Sequence, residues 1–76
     1  MKLKELLRMI DPRTIVSVGI KMLNGEFWEV FEGEAGIAAA NIKDVEKYTA
    51  HYIKAAYILA WKMQGIIIDA HEEAET

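Results

Sequence analysis

The 76-residue chain has no cysteine, which excludes a disulfide framework and a thiolate metal site. Positive charge is scarce: nine basic against twelve acidic residues give a net charge of −3, where a nucleic-acid-binding face reads strongly basic. A membrane-length apolar run is missing too. In the apolar stretch after Tyr52 the longest segment free of charge is Ala55 to Trp61, against the roughly 20 residues a span needs. The opening MKLKELLRMI is too short and too charged for a secretory signal, and no small-residue cleavage site follows it. A cytoplasmic protein is expected, with no place in the membrane and no nucleic-acid partner.

What remains is rich in apolar residues. Hydrophobic residues make up 53% and charged residues 28%, the composition of a folded chain rather than a disordered one. A mass of 8.6 kDa allows one domain, residues 1–76, with one core, and a chain of that mass exposes roughly 4,700 Å² when folded. Mean hydropathy of +0.06 makes part of that surface apolar, so self-association or a protein partner is expected. Charge is divided unevenly: residues 1–25 hold five bases and two acids, whereas 26–76 hold four bases and ten acids. The acidic part reads as solvated surface with a frayed EEAET tail, or as an acidic face for a basic partner.

Leu3, Leu6, Leu7 and Ile10 form the stripe of an amphipathic helix over about 2–10, which Asp11-Pro12 ends. A helix that short needs support, and the alternation of Val16, Val18, Ile20 and Met22 supplies a β-hairpin over about 14–32 to support it. Asn24-Gly25 signals a two-residue type I′ turn. That turn sets Met22 opposite Phe27, Lys21 opposite Trp28, Ile20 opposite Glu29 and Val18 opposite Phe31. One face then holds Val16, Val18, Ile20, Met22, Phe27 and Phe31 as core. The other holds Ser17, Lys21, Trp28, Val30 and Glu32. Glu29 falls on the core side, near a rim or bulge, or buried and paired with Arg8 or Arg13.

Residues 33–42 (GEAGIAAANI) read as a small-residue connection without the spacing of a phosphate loop. Asn41 followed by Asp44 suits an N-cap, so a helix is expected from about Ile42. Its extent is open on local rules. One long helix over 42–64 has a continuous stripe from Val45 to Met63. A short helix over about 42–50 followed by a hairpin, 52–61 with 66–71, instead puts Ile53, Ala55, Tyr57, Leu59 and Trp61 on one face of a strand.

The segments KLKELLRMIDPRTIVSV, FEGEAG, DVEKY, YIKAAYIL and GIIIDA, in that order, resemble small uncharacterised accessory proteins of phages and integrated mobile elements of Gram-positive bacteria. That resemblance implies an α+β fold of helix, β-hairpin, short helix and second hairpin, and so selects the second arrangement. No catalytic signature travels with it.

Chemistry is sparse. His51 and His71 are the only histidines; Asp69-x-His71 places two potential ligands on one strand face, short of the four of a structural metal site. Ser17, the only serine, sits in a strand with no histidine beside it and no nucleophile elbow. Glu26, Glu29, Glu32 and Glu34 read as charges guarding a hairpin edge rather than as an acid–base pair. No enzyme activity, cofactor or metal is expected. The expected function is a protein-interaction module with an apolar face and an acidic rim, one version being an inhibitor of a host defence complex. The alternative is a structural homo-oligomer, a homodimer or larger, such as a virion component. The expected contact residues are Trp28, above Gly19, with Val30, Lys21, Glu32 and Trp61.

Overall fold

A computed structural model describes residues 1–74. In chain order it contains α1 (Leu3–Met9), β1 (Ile15–Lys21), β2 (Phe27–Glu34), α2 (Ala35–Asn41), a 3₁₀ turn (Val45–Lys47), β3 (Tyr48–Ile58), a second 3₁₀ turn (Leu59–Trp61) and β4 (Met63–Glu72). The α+β class and the order helix, hairpin, helix, hairpin are as expected, and the long helix over 42–64 does not form. Among the described residues, no helix is long and apolar enough to cross a membrane.

The four strands form one sheet in the order β2-β1-β4-β3. Each hairpin is antiparallel, and the two join through a parallel β1–β4 pair in the middle. That pairing aligns Val16 with Ile66, Val18 with Ile68 and Ile20 with Ala70, so all six side chains share a face. Leu3, Leu6 and Leu7 of α1 and Ala35 and Ala38 of α2 cover this face. The largest fully buried side chains are Leu3, Ile20, Ile68, Val16 and Val18. The Ile66-Ile67-Ile68 run is the signature of a strand flanked on both sides, with apolar side chains on both faces. Among the described residues, both α-helices lie on the face of Val16, Val18 and Ile20 and none on the opposite one.

The first hairpin departs from the expected register. Met22 N donates to Glu26 O (2.7 Å) and Gly25 N to Met22 O (2.9 Å), which makes a three-residue loop, Leu23-Asn24-Gly25, with Gly25 at φ +90°. A turn followed by a left-handed glycine is the next commonest hairpin loop. It advances the pairing by one residue: Lys21 faces Phe27, Ile20 faces Trp28 and Gly19 faces Glu29. A bulge at Val30 then restores Val18 opposite Phe31. A one-residue slip exchanges faces. Phe27 and Glu29 therefore move to the open face and Trp28 to the helix side, while Phe31 keeps its place against the core.

The second helix is displaced from 42–50 to 35–41. Alanine-rich sequence has the strongest intrinsic helix preference, and the small side chains of Ala35 and Ala38 let α2 approach the core closely. Gly36 allows a close approach to Pro12: a Cβ there would lie 2.8 Å from Pro12 Cβ, and Gly36 N donates to Pro12 O at 2.9 Å. Asn41 ends the helix instead of capping the next, its Nδ2 donating to Ile37 O at 2.8 Å. Ile42, Val45 and Tyr48 are all buried. Their three-residue spacing suits the 3₁₀ turn, in which residues i and i+3 eclipse, and Asp44 enters it at φ 56°.

The second hairpin is longer than expected. β3 and β4 pair from Tyr48–Glu72 to Ile58–Met63, with a bulge at His51 between Ala50 and Tyr52. The connection is the Leu59–Trp61 turn closed by Lys62 at φ 53°, so Trp61 lies outside the strand. Glu72 and Glu73 are not frayed. Glu73 bonds Lys2 Nζ (2.7 Å) and Thr49 Oγ1 (2.6 Å), and Glu72 Oε1 accepts from Leu23 N at 3.0 Å. Residues 75–76 of the expected tail lie outside the described residues. The exposed area is 5182 Å², above the roughly 4,700 Å² of an average protein of this mass.

Candidate interaction surface

β3 and α1 differ in length, and this difference builds the surface. Eleven residues of strand span roughly 36 Å, whereas seven residues of helix span about 10 Å. α1 begins beside Thr49, where Lys2 bridges to the strand and Ala50 N donates to Met1 O at 2.9 Å. The helices do not reach the other end of β3. Ile53 and Tyr57 point to the helix side yet stay 50% and 55% exposed. Tyr52 on the open side is half exposed, and Leu59, at 80%, is the most exposed large apolar side chain among the described residues.

The same stretch is a free sheet edge. Beyond Ala50, no strand of the described residues pairs with the outer side of β3, so alternate backbone N–H and C=O groups from Tyr52 to Ile58 face outward. Lys54 is the only Lys, Arg, Asp or Glu between His51 and Trp61. The other edge, β2, has Glu29, Glu32 and Glu34 and the Val30 bulge, devices that discourage pairing. The β2 edge is the more heavily guarded: between Tyr52 and Ile58 the β3 edge carries Lys54 alone, and its bulge lies outside that stretch.

The expected contact residues do not form one patch. Phe27, not Trp28, lies over Gly19: a Cβ on Gly19 would be 2.2 Å from Phe27 Cζ. Trp28 pairs with Ile20 on the helix side, 55% exposed, and its Nε1 donates to Glu26 Oε2 at 3.0 Å. Val30 occupies the bulge. Glu32 lies opposite Ser17 on the open face, to which Lys21 also belongs. Trp61 sits at the far end of the sheet, with its Cζ2 3.7 Å from the Cβ position of Gly33. Glu29 is exposed beside the bulge, accepting a hydrogen bond from Ser17 Oγ at 3.1 Å, and is not buried against Arg8 or Arg13. Tyr52, Ile53 and Tyr57 lie outside that expected set; the signal for their exposure is the short first helix set against the long apolar strand.

A second feature lies on the open face. The bulge turns His51 toward His71, with ring centroids 5.4 Å apart. Lys21, Phe27, Asp69 and Ala70 join them around a shallow cleft of about 290 Å³. Asp69 and His71 share this face, as the spacing requires. Among the described residues, no group of three His, Cys, Asp or Glu side chains is placed to hold a metal ion.

Two groups near the start of β3 have shifted titrations. Glu73 is held below the ordinary carboxylate range, first by its hydrogen bond from Lys2 and then by that from Thr49. Burial pushes the Tyr48 phenol up, with Asp44 and Glu72 adding to the effect. Both belong to the fastening of this strand to the N-terminus and the end of β4. No family model, no curated protein and no solved structure matches the chain.

Proposed function

We propose that the protein is a non-enzymatic interaction module that takes up a protein partner by strand addition at the outer edge of β3. In this mode backbone hydrogen bonds give affinity and alternate side-chain contacts give selectivity. The observation that carries the reading is the regular stretch Tyr52–Ile58: unpaired on its outer side among the described residues, with a single charge, and bearing half-exposed Tyr52, Ile53 and Tyr57. Aromatic anchors of this kind carry most of the energy of protein interfaces. The acids of β2 lie at the opposite edge and keep the sheet from pairing at both sides. The accessory role in a phage or mobile element and the cytoplasmic location belong to the same proposal and rest on the sequence.

The test is selection from a displayed library of random peptides against the immobilised protein. Enriched peptides should be extended, alternating and apolar, and should lose at least tenfold in affinity for Ala55→Pro, which removes an edge N–H. Enriched peptides that bind the folded Ala55→Pro variant with undiminished affinity would refute strand addition at this edge.

A further inference from the structure

We infer that the occupant of the β3 edge is a second copy of the chain, the two β3 strands running antiparallel about a two-fold axis at Ala55. The inference rests on the strand-addition reading above and adds the partner and the register. The usable ladder has two fixed ends. The His51 bulge interrupts regular pairing on one side, and the 3₁₀ turn from Leu59 ends the strand on the other. Between them lies Tyr52–Ile58, whose midpoint is Ala55.

An axis at the midpoint uses every residue of the stretch. Ala55 then faces Ala55 of the second copy, Lys54 faces Ala56, Ile53 faces Tyr57 and Tyr52 faces Ile58. Directly opposed residues share a face of the sheet in antiparallel pairing, and β3 already places Ile53 with Tyr57 and Tyr52 with Ile58 on common faces. The neighbouring registers are worse. An axis at Lys54 opposes two ammonium groups, which destabilises the pair. An axis at Ile53 sets Ala55 against the bulge, and one at Ala56 sets Ile53 against Leu59, already out of the strand.

The charge pattern distinguishes self-pairing at this edge from self-pairing at the other. Two β2 edges would bring Glu29, Glu32 and Glu34 of each copy together, with a bulge in each strand. Two β3 edges bring together a stretch with one charge per copy, and the favoured register keeps those charges off each other. The product is a closed, isologous dimer with one continuous sheet of eight strands, the acidic β2 edges forming both of its ends. Leu59, the most exposed large apolar side chain of the described residues, comes beside the second copy's His51 bulge.

The chain has no cysteine, so single introduced thiols report the register directly. Light scattering of the unmodified protein should give a dimer, and Ala55→Lys, which sets two lysines face to face, should shift its dissociation at least tenfold toward higher concentration. With a short thiol-bridging reagent, Ala55→Cys should form covalent dimer by itself. Ile53→Cys and Tyr57→Cys should each cross-link poorly alone and efficiently when mixed. Efficient cross-linking of Ile53→Cys alone would overturn the register. A wild-type protein that stays monomeric at hundreds of micromolar would overturn the dimer; if library peptides still bind the β3 edge, strand addition stands with a different protein as partner. A monomer that also binds no such peptide would sink both readings.

Discussion

Gly65 and Gly19 lie in the two central strands, and replacing each with alanine should have very different effects. A Cβ at Gly65 would sit 2.4 Å from the backbone oxygen of Ile15 and 2.7 Å from Ile58 Cγ1. Ordinary contact begins at 3.4 Å, so the carbonyl would have to retreat by about 1 Å where β1 and β4 are bonded as parallel neighbours; overpacking of this kind costs about 1–3 kcal/mol. Small domains of this length hold about 4–11 kcal/mol. A loss near 2 kcal/mol should therefore lower the melting midpoint of Gly65→Ala by about 8–16 °C. At Gly19 the three atoms nearest the added one would all belong to the ring of Phe27, which is 58% exposed and free to swing aside. Alanine also restricts the unfolded chain, which stabilises by about 0.4–1 kcal/mol and offsets much of the ring's displacement. Gly19→Ala should melt within a few degrees of wild type. The assay is thermal unfolding followed by circular dichroism at matched protein concentration. Equal losses for the two variants, or a larger loss for Gly19→Ala, would refute the close β1–β4 approach and the placement of Phe27.

Three further outcomes follow from the core and the fastened end of β3. Ile68→Ala, at a fully buried position between Val18 and Ile53, should cost about 2–5 kcal/mol; Ile67→Ala, on the open face, should cost clearly less in the same urea titrations. Glu73 has a lowered folded pKa, so its stabilisation is full above the ordinary carboxylate value and is lost as pH falls through the lowered one. Wild type should accordingly lose more stability than Glu73→Gln between neutral and strongly acidic pH. Tyr48 has a raised folded pKa, so above the ordinary phenol value the unfolded chain ionises first and stability falls as pH rises. Tyr48→Phe should flatten that alkaline decline, measured by denaturant midpoints across the same range.

The apolar periods were legible. The Leu3–Leu6–Leu7 stripe and the Val16–Val18–Ile20 alternation point to α1, β1 and their mutual burial, and the isoleucine run points to β4. The turn at Asn24-Gly25 was legible as a hairpin but not as to loop length. Two- and three-residue loops use the same dipeptide, and the extra residue moved Phe27, Trp28 and Glu29 to opposite faces until the bulge at Val30 corrected it. The Gly-Ala segment hid α2, because its glycines suggested a loop while Gly36 serves close packing against Pro12. The isoleucine run marks β4 as a strand flanked on both sides, but which strand lies beside it, and in which direction, had no local signal, since any apolar hairpin edge satisfies the same pattern. The half-exposed state of Tyr52, Ile53 and Tyr57 had no local signal either: it depends on how far α1 reaches along β3, which is a tertiary fact.

The central claim is that the outer edge of β3 is the recognition edge, and residue-resolved amide exchange by nuclear magnetic resonance tests it most directly. In dilute protein, amides from Tyr52 to Ile58 should alternate: those directed at β4 exchange slowly and those directed outward exchange fast. On raising the concentration or adding a library-selected peptide, the fast set should slow by at least tenfold while β2 is unchanged. Protection that instead appears along β2 or the helices, with the outward amides of β3 still exchanging freely, would contradict the account.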